Sequence, residues 1–190
     1  MRNFKMIAIA LFMASATAVS AQTMKKIDSG KSKINWVGKK VTGAHDGFVK
    51  ISEGYLNFDG KELTSGSIIV DMNSITVTDL QPGKGKEKLE GHLKNDDFFA
   101  TDKYPTANLS WKNAKSKGNG TYTINGFLNI KGQTQPITLD LIMNGNTGTA
   151  NFLVDRTKYD IKYGSGSFFD NLGDRAIDDN FEVKANIVLQ

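Results

Sequence analysis

The sequence predicts an all-β fold in which a single antiparallel sheet of about eight strands closes into a barrel, with one short helix. Three observations lead to this prediction. Apolar and polar residues alternate with a period of two, turn sequences recur at short intervals, and one stretch alone changes to helical spacing. Alternation marks an antiparallel sheet that buries one face. A sheet with this many strands tends to curl and close.

Seven segments carry the alternation, and each places its apolar residues on one face. In chain order these inward sets are Ile34, Trp36 and Gly38; Ile68, Val70 and Met72; Ala107, Leu109 and Trp111; Tyr122, Ile124, Gly126, Leu128 and Ile130; Ile137, Leu139, Leu141 and Met143; Ala150, Phe152 and Val154; and Phe181, Val183, Ala185, Ile187 and Leu189. Gly-containing turn sequences such as "KGNG" and "NGN" separate several of them. Such turns are typical of hairpins.

The stretch "EKLEGHLKN" (87–95) predicts the helix, because Leu89 and Leu93 are four residues apart and share one helical face. We expect a short helix near residues 86–97. Phe98 and Phe99 follow it directly, and we expect this pair to dock the helix against the sheet or across an open end of the barrel.

A second phenylalanine pair, Phe168–Phe169, lies in "KYGSGSFFDNLGDRAIDDN", a loop of about 19 residues between two strands. Loops of this length in small domains are often functional lids. The sequence leaves two interpretations open: the pair either gates the barrel or plugs one end of its core.

The first 21 residues read as a signal peptide, with Arg2 and Lys5 before an apolar stretch and small residues before a cleavage site after Ala21. The alternative is a retained N-terminal anchor. We therefore expect residues 22–190 to form one exported domain, periplasmic or secreted, without stable membrane insertion. The chain has no cysteine, which excludes thiolate catalysis, iron–sulfur clusters, Cys-type zinc sites and a lipoprotein anchor.

Charge and motif spacing argue against several function classes. The formal charge of +4 includes two positive residues of the predicted signal peptide, so nucleic-acid binding is not expected. His45 and His92 lie far apart without metal-ligand spacing, and "GSGS" does not match a nucleophile elbow. No metal, no other cofactor and no catalytic residue is predicted.

Four stretches together resemble the YceI family, also called polyisoprenoid-binding or lipid-binding YceI-like proteins: "WVGKKVTGAHDGFVKISEGYLNFDG", "SIIVDMNSITVTD", "HLKNDDFFATDKYPTANLSW" and "DRTKYDIKYGSGSFFDNLGDRAIDDNFEV". The resemblance implies an eight-stranded antiparallel barrel of extended lipocalin-like form. It also implies a long isoprenoid-type or fatty amphiphile held in an elongated apolar cavity. Ligands differ within the family, so the resemblance does not name one here.

The mixture of large and small inward residues favours a cavity, since small residues leave room that large ones line; a solid core is the alternative. The predicted cavity residues are Trp36, Phe48, Phe98, Phe99, Trp111, Leu128, Leu141, Phe152, Phe168, Phe169 and Phe181. Candidates for contacting a polar head group are His45, Arg156, Lys158, Tyr159 and Asn171.

Each of the leading head-group candidates has a structural alternative. His45 could serve as a hydrogen-bonding turn residue, and Arg156 could pair with Asp155, Asp174 or Asp178. The expected partner is an isoprenoid-like or other long-chain lipid, and a homodimer is considered. Two rival functions are an enzyme that acts on a lipid or quinone and uses His45 with nearby acids, and a structural or stress-related barrel with a solid core.

Overall fold

Nine strand segments, one α-helix and two 3-10 helices form the part of the chain that the computed structural model describes, residues 22–190. The predicted signal peptide lies outside the described residues. The elements are β1 (Gln22–Lys26), β2 (Lys33–Lys40), β3 (Gly43–Asp59), β4 (Glu62–Val77), α1 (Lys86–Lys94), β5 (Thr106–Gly118), β6 (Thr121–Ile130), β7 (Gln133–Asn144), β8 (Thr147–Asp155), the 3-10 helices Arg156–Tyr159 and Gly173–Arg175, and β9 (Ile177–Val188).

The sheet closes into an antiparallel ring of eight strand positions, which confirms the predicted barrel. Neighbours follow the order β3-β2-β9-β8-β7-β6-β5-β4, and β4 pairs back onto β3. The ninth segment, β1, shares a position with β2, because both pair with the same edge of β3 at different heights. Ile27, between them, bridges to Leu189, so β1 and β2 act as one interrupted strand.

Burial follows the alternation that the sequence predicts. Every non-glycine member of the seven inward sets is a buried core residue or packs against the core. On β6, for example, Ile124 and Leu128 are buried whereas Asn125 and Phe127 between them face solvent. One face of the sheet therefore forms the wall of the barrel interior.

Both tryptophans lie over glycines of the neighbouring strands. Trp36 pairs with Gly47 on β3, and Trp111 pairs with Gly66 on β4. A Cβ atom at Gly47 would lie 2.7 Å from the Trp36 ring and 1.8 Å from the carbonyl oxygen of Thr76. Only a residue without a side chain allows this approach, so these glycines let two large rings lie close to the wall.

The helix α1 matches the predicted one and is held on the end of β4. Leu93 is buried in the core and Leu89 packs against it. The Glu90 carboxylate accepts hydrogen bonds from the Thr76 hydroxyl (2.8 Å) and the Val77 amide (2.9 Å). Burial would raise the pKa of Glu90, but these bonds and nearby lysines lower it below its ordinary value. The charged carboxylate therefore ties the helix to the barrel.

The two ends of the barrel differ. At the helix end lie α1 with its flanking segments (78–105), the β2–β3 and β6–β7 turns, and the long β8–β9 loop (156–176). At the opposite end lie the short β3–β4, β5–β6 and β7–β8 turns. Within residues 22–190, no helix is long and apolar enough to cross a membrane.

Gly47→Ala should lower the free energy of unfolding by about 1–3 kcal/mol or more, because the new methyl group collides with a backbone carbonyl and an indole ring. Gly91→Ala is the matched control: a Cβ there meets nothing within 4 Å. Since Ala favours a helix interior, the control should raise stability by about 0.5–1 kcal/mol. Denaturant unfolding of both variants measures the difference; equal stabilities would contradict the packing described.

Candidate functional site

The barrel interior contains an apolar cavity of about 180 Å³. Its wall consists mostly of aliphatic and aromatic side chains, and polar residues are confined to Asn108, Arg156 and Asp178 among those that line it. For comparison, an engineered apolar cavity of about 150 Å³ in another protein stays dry and takes up benzene. The barrel interior therefore offers a site for an apolar group and a poor site for water.

Eight of the eleven predicted cavity residues line this space. They are Trp36, Phe98, Phe99, Trp111, Leu128, Leu141, Phe152 and Phe181. The placement makes them available to a ligand, and their contact with one stays a prediction.

The open space lies beside the small residues of the inward sets. Gly38, Ala107, Ala150 and Ala185 all line the cavity. Gly126 lies instead beneath Trp111, whose Cβ would be 3.2 Å from an added methyl group. The cavity is wider than a water molecule, which argues against the solid-core alternative.

Phe48 does not line the cavity, in contrast to the prediction. Its neighbour Val49 lines the cavity, and Phe48 lies on the outer face with the Lys33 ammonium 5.5 Å from its ring centre. The two residues are adjacent and apolar, so the alternation allowed either to point inward. Val49 pairs with Ile34, which points into the barrel, so Val49 points inward and Phe48 points outward.

Phe168 and Phe169 also do not line the cavity, and their exposure is not that of a core plug, so the gating role stays a prediction. They are 51% and 52% exposed. Both backbone amides donate to the carbonyl oxygen of Ser165, at 3.2 and 3.0 Å, which turns the chain outward. The loop residue that reaches the barrel closure is Tyr163.

An aromatic cluster closes the helix end. The His92 ring lies 5.0 Å from Phe98 and 4.5 Å from Tyr163 between centroids, both edge-to-face. The ring centroids of Phe99 and of Phe181 on β9 are 6.3 Å apart. The first phenylalanine pair thus packs across the barrel end, as expected from its position after the helix. Tyr163 is not among the residues predicted from the sequence, because nothing in the sequence of its loop indicates that it packs against this cluster.

Arg156 holds the long β8–β9 loop, and it is the head-group candidate that lines the cavity, so its contact with a ligand stays a prediction. Its side chain is nearly inaccessible (3% exposed) and donates to the carbonyl oxygens of Ile161, Tyr163, Ile177 and Asp178 at 2.8–3.0 Å. Burial lowers the pKa of Arg156 below its ordinary value, although the negative charges of Asp179, Asp155 and Asp178 act to raise it. Its carboxylate partner is Asp179, at 3.7 Å, instead of the three aspartates considered from the sequence.

The other head-group candidates lie away from the cavity. Lys158 and Asn171 are exposed, and Tyr159 is buried without lining the cavity. Burial and the charge of Asp155 raise the pKa of Tyr159 to about 12. The sequence did not reveal these placements because they depend on how the loop folds back.

His45 lies in a surface groove between the β2–β3 hairpin and α1, which His92 also lines. Its Nδ1 is 2.7 Å from an Asp79 carboxylate oxygen, and the Asp46 amide donates to the other oxygen of Asp79. Burial would raise the pKa of Asp79, but these contacts lower it. His45 therefore joins the hairpin to the segment after β4, in keeping with the turn role considered for it.

No three His, Asp or Glu side chains within residues 22–190 converge in a way that could hold a metal ion. The indole nitrogens of Trp36 and Trp111 are buried and have no hydrogen-bond partner among the described residues. The arrangement offers an apolar volume inside the barrel.

Comparisons with known proteins agree with this architecture. The YceI-like domain matches residues 26–189. Among curated relatives, an UPF0312 protein of Shewanella denitrificans is 32% identical over 87 residues, which is 46% of this chain and 43% of that protein. A UPF0312 protein of Shewanella oneidensis is 29% identical over 56% of this chain and 52% of that protein. The matched part thus spans about half the length of these relatives.

Two solved structures share the fold. BcnA of Burkholderia cenocepacia superposes with a TM-score of 0.69 at 23% identity, covering 86% of this chain and 99% of that one. A polyisoprenoid binding domain of Saccharophagus degradans gives a TM-score of 0.60 at 13% identity, covering 87% and 97%. At these identities the likeness shows the fold.

Replacing Arg156 should release the β8–β9 loop. Arg156→Met removes four hydrogen bonds to backbone carbonyls, and we expect the free energy of unfolding to fall by about 3 kcal/mol. Amide hydrogen exchange between residues 157 and 176 should accelerate. Arg175→Met, an exposed change in the same loop, should stay within about 0.5 kcal/mol of the parent. Equal exchange rates in the two variants would contradict the assigned role.

Proposed function

Because the chain belongs to the YceI-like family, we propose that it is a lipid-binding protein that holds a long-chain isoprenoid-like or fatty amphiphile non-covalently in its barrel. The observation that carries the proposal is the cavity inside the barrel, whose wall is almost entirely apolar. The Saccharophagus domain of the same fold, described as polyisoprenoid-binding, supports it.

Burial of a hydrocarbon chain supplies enough free energy for such a role. Each buried methylene contributes about 0.8 kcal/mol, so a tail of roughly twenty carbons gains on the order of 15 kcal/mol before costs. Ordering the tail and losing its free motion offset much of this gain. Tight binding then requires no catalytic group, and carriage or sequestration of an insoluble molecule follows.

The size of the cavity sets how a long chain enters. A space of about 180 Å³ takes a short stretch of hydrocarbon. A longer chain needs more room, and the hydrogen-bonded barrel wall resists widening. The aromatic closure of Phe98, Phe99 and Tyr163 consists of side chains at the end of the barrel, and we propose that it shifts to admit the rest of the chain.

The enzyme alternative draws no support from the site. His45 and Asp79 form a pair, but they lie in the surface groove and do not line the cavity. A lipid chain inside the barrel does not meet them. Binding therefore accounts for the geometry without a reaction.

A substitution that fills the cavity tests the proposal. Ala185→Phe places a large ring in the open space, and Asn186→Phe places the same ring on the outer face of the same strand. We expect the first to reduce bound lipid about tenfold or more, since it removes buried methylene sites, and the second to leave it unchanged.

Native mass spectrometry and organic-solvent extraction measure the bound lipid, with polyprenol and fatty-amide probes added to the purified protein. A parent protein that carries no lipid and ignores both probes would contradict the proposal. Thermal unfolding of both variants checks that the fold is retained.

We further propose that the protein is exported and acts in the periplasm or outside the cell. The predicted signal peptide supports this location. When the full chain is expressed in a secreting bacterial host, the intact mass of the purified protein should correspond to residues 22–190. A mass that retains the first 21 residues, with the protein in the cytoplasm, would contradict export.

A further inference from the structure

Exposed apolar side chains are distributed unevenly between the two ends of the barrel. Ten large hydrophobic residues are exposed within residues 22–190, and half of them lie on the outer faces of strands. The other half all lie in connections at the helix end: Val41, Tyr104, Tyr163, Phe168 and Phe169. The three hairpin turns at the opposite end carry none of the ten. The loops at the helix end of the barrel therefore expose large apolar side chains, whereas the turns at the opposite end do not.

The Phe168–Phe169 tip is held in its outward position. Ser165, which accepts both phenylalanine amides, is fully buried. The Ser167 hydroxyl donates to Asp179 on β9 at 2.5 Å, and the Ile177 amide donates to the carbonyl oxygen of Gly164 at 2.8 Å. The exposure of the pair is thus built into a hydrogen-bonded loop, and two adjacent exposed aromatic rings held in place are suited to contact with an apolar partner.

The tip of the β2–β3 hairpin is hydrogen-bonded to the end of this loop. The Val41 amide donates to the carbonyl oxygen of Ala176 at 3.2 Å, which joins the β2–β3 turn to the end of the β8–β9 loop. Val41 is itself 65% exposed. Three apolar side chains are therefore displayed from two connected loops.

Lysines lie near these apolar residues in space or in the chain, and Lys162 among them also pairs with Asp160 at 2.8 Å. The Lys162 ammonium lies 5.2 Å from the ring centre of Phe168, and Lys39 and Lys40 precede Val41. Aromatic residues with neighbouring lysines are typical of surfaces at the boundary between lipid head groups and acyl chains. Asp170 and Asp174 in the same loop offset the charge, so attraction to a bilayer comes chiefly from the apolar residues.

We propose that the helix end of the barrel is a docking surface for a lipid bilayer, with Phe168, Phe169 and Val41 entering the head-group region. The inference rests on the proposed lipid-binding function. Docking brings the aromatic closure of the cavity to the membrane, where an amphiphile can pass between bilayer and barrel without crossing water. The contact is peripheral and reversible, since only a few side chains enter the bilayer.

Vesicle flotation tests the surface, using the protein without residues 1–21 and vesicles of phosphatidylethanolamine and phosphatidylglycerol. We expect Phe168→Ser with Phe169→Ser to lower vesicle binding about tenfold or more, because two apolar side chains leave the bilayer contact. Transfer of radiolabelled polyprenol between vesicles should slow in parallel. The matched control, Phe127→Ser with Leu153→Ser, removes two side chains of similar exposure (58% and 64%) from the barrel wall and should leave both measurements unchanged.

Raising the salt concentration separates apolar docking from electrostatic attraction, and binding should persist at 1 M salt because the Debye length there is only about 3 Å. A parent protein that does not float with vesicles, or a loop variant that binds and transfers as well as the control, overturns the proposal. A dimer in sedimentation velocity that the loop variant loses, with vesicle binding unchanged, overturns it in favour of a second copy of the chain.

Uptake of polyprenol from a solvent dispersion, measured without vesicles, separates this proposal from the proposed function. The loop variant should take up as much as the parent if the surface serves docking alone. If the parent takes up none, the lipid-binding function fails whatever the vesicles show.

Discussion

The pairing of β3 with β4 closes the sheet, and the remaining features depend on that closure. Once the ring is complete, alternate side chains of every strand face one another across an interior of fixed width. Bulky residues such as Trp36 and Trp111 then occupy part of the interior, and small residues such as Ala107 and Ala185 leave part of it open. A cavity results from the sequence of the wall, without any inserted element to create it.

Several charged residues of this protein hold its connections in place. Glu90 fixes the helix to β4, Arg156 folds the β8–β9 loop back on itself, and the His45–Asp79 pair joins the hairpin to the segment before the helix. Each interaction lies at the same end of the barrel. That end is assembled from long connections, which need such ties because they lack the continuous backbone pairing of the strands.

The sequence predicted the wall of the barrel well, because period-two burial is a local signal that each strand carries independently. It failed where the signal was ambiguous or non-local. Phe48 and Val49 are adjacent apolar residues, and cross-strand pairing alone decides which one points inward. The outward turn of Phe168 depends on Ser165 and on the anchoring of its loop by Arg156, contacts that no spacing of residues in the loop reveals.

The chain contains two tryptophans, and both line the same cavity. Their indole rings share an apolar environment that changes when the cavity fills, and their unpaired N–H groups are sensitive to any acceptor that arrives nearby. Tryptophan fluorescence, excited selectively over that of the five tyrosines, therefore originates from the cavity wall. Emission wavelength and quenching report occupancy of the barrel directly, with no label and no background from tryptophans elsewhere.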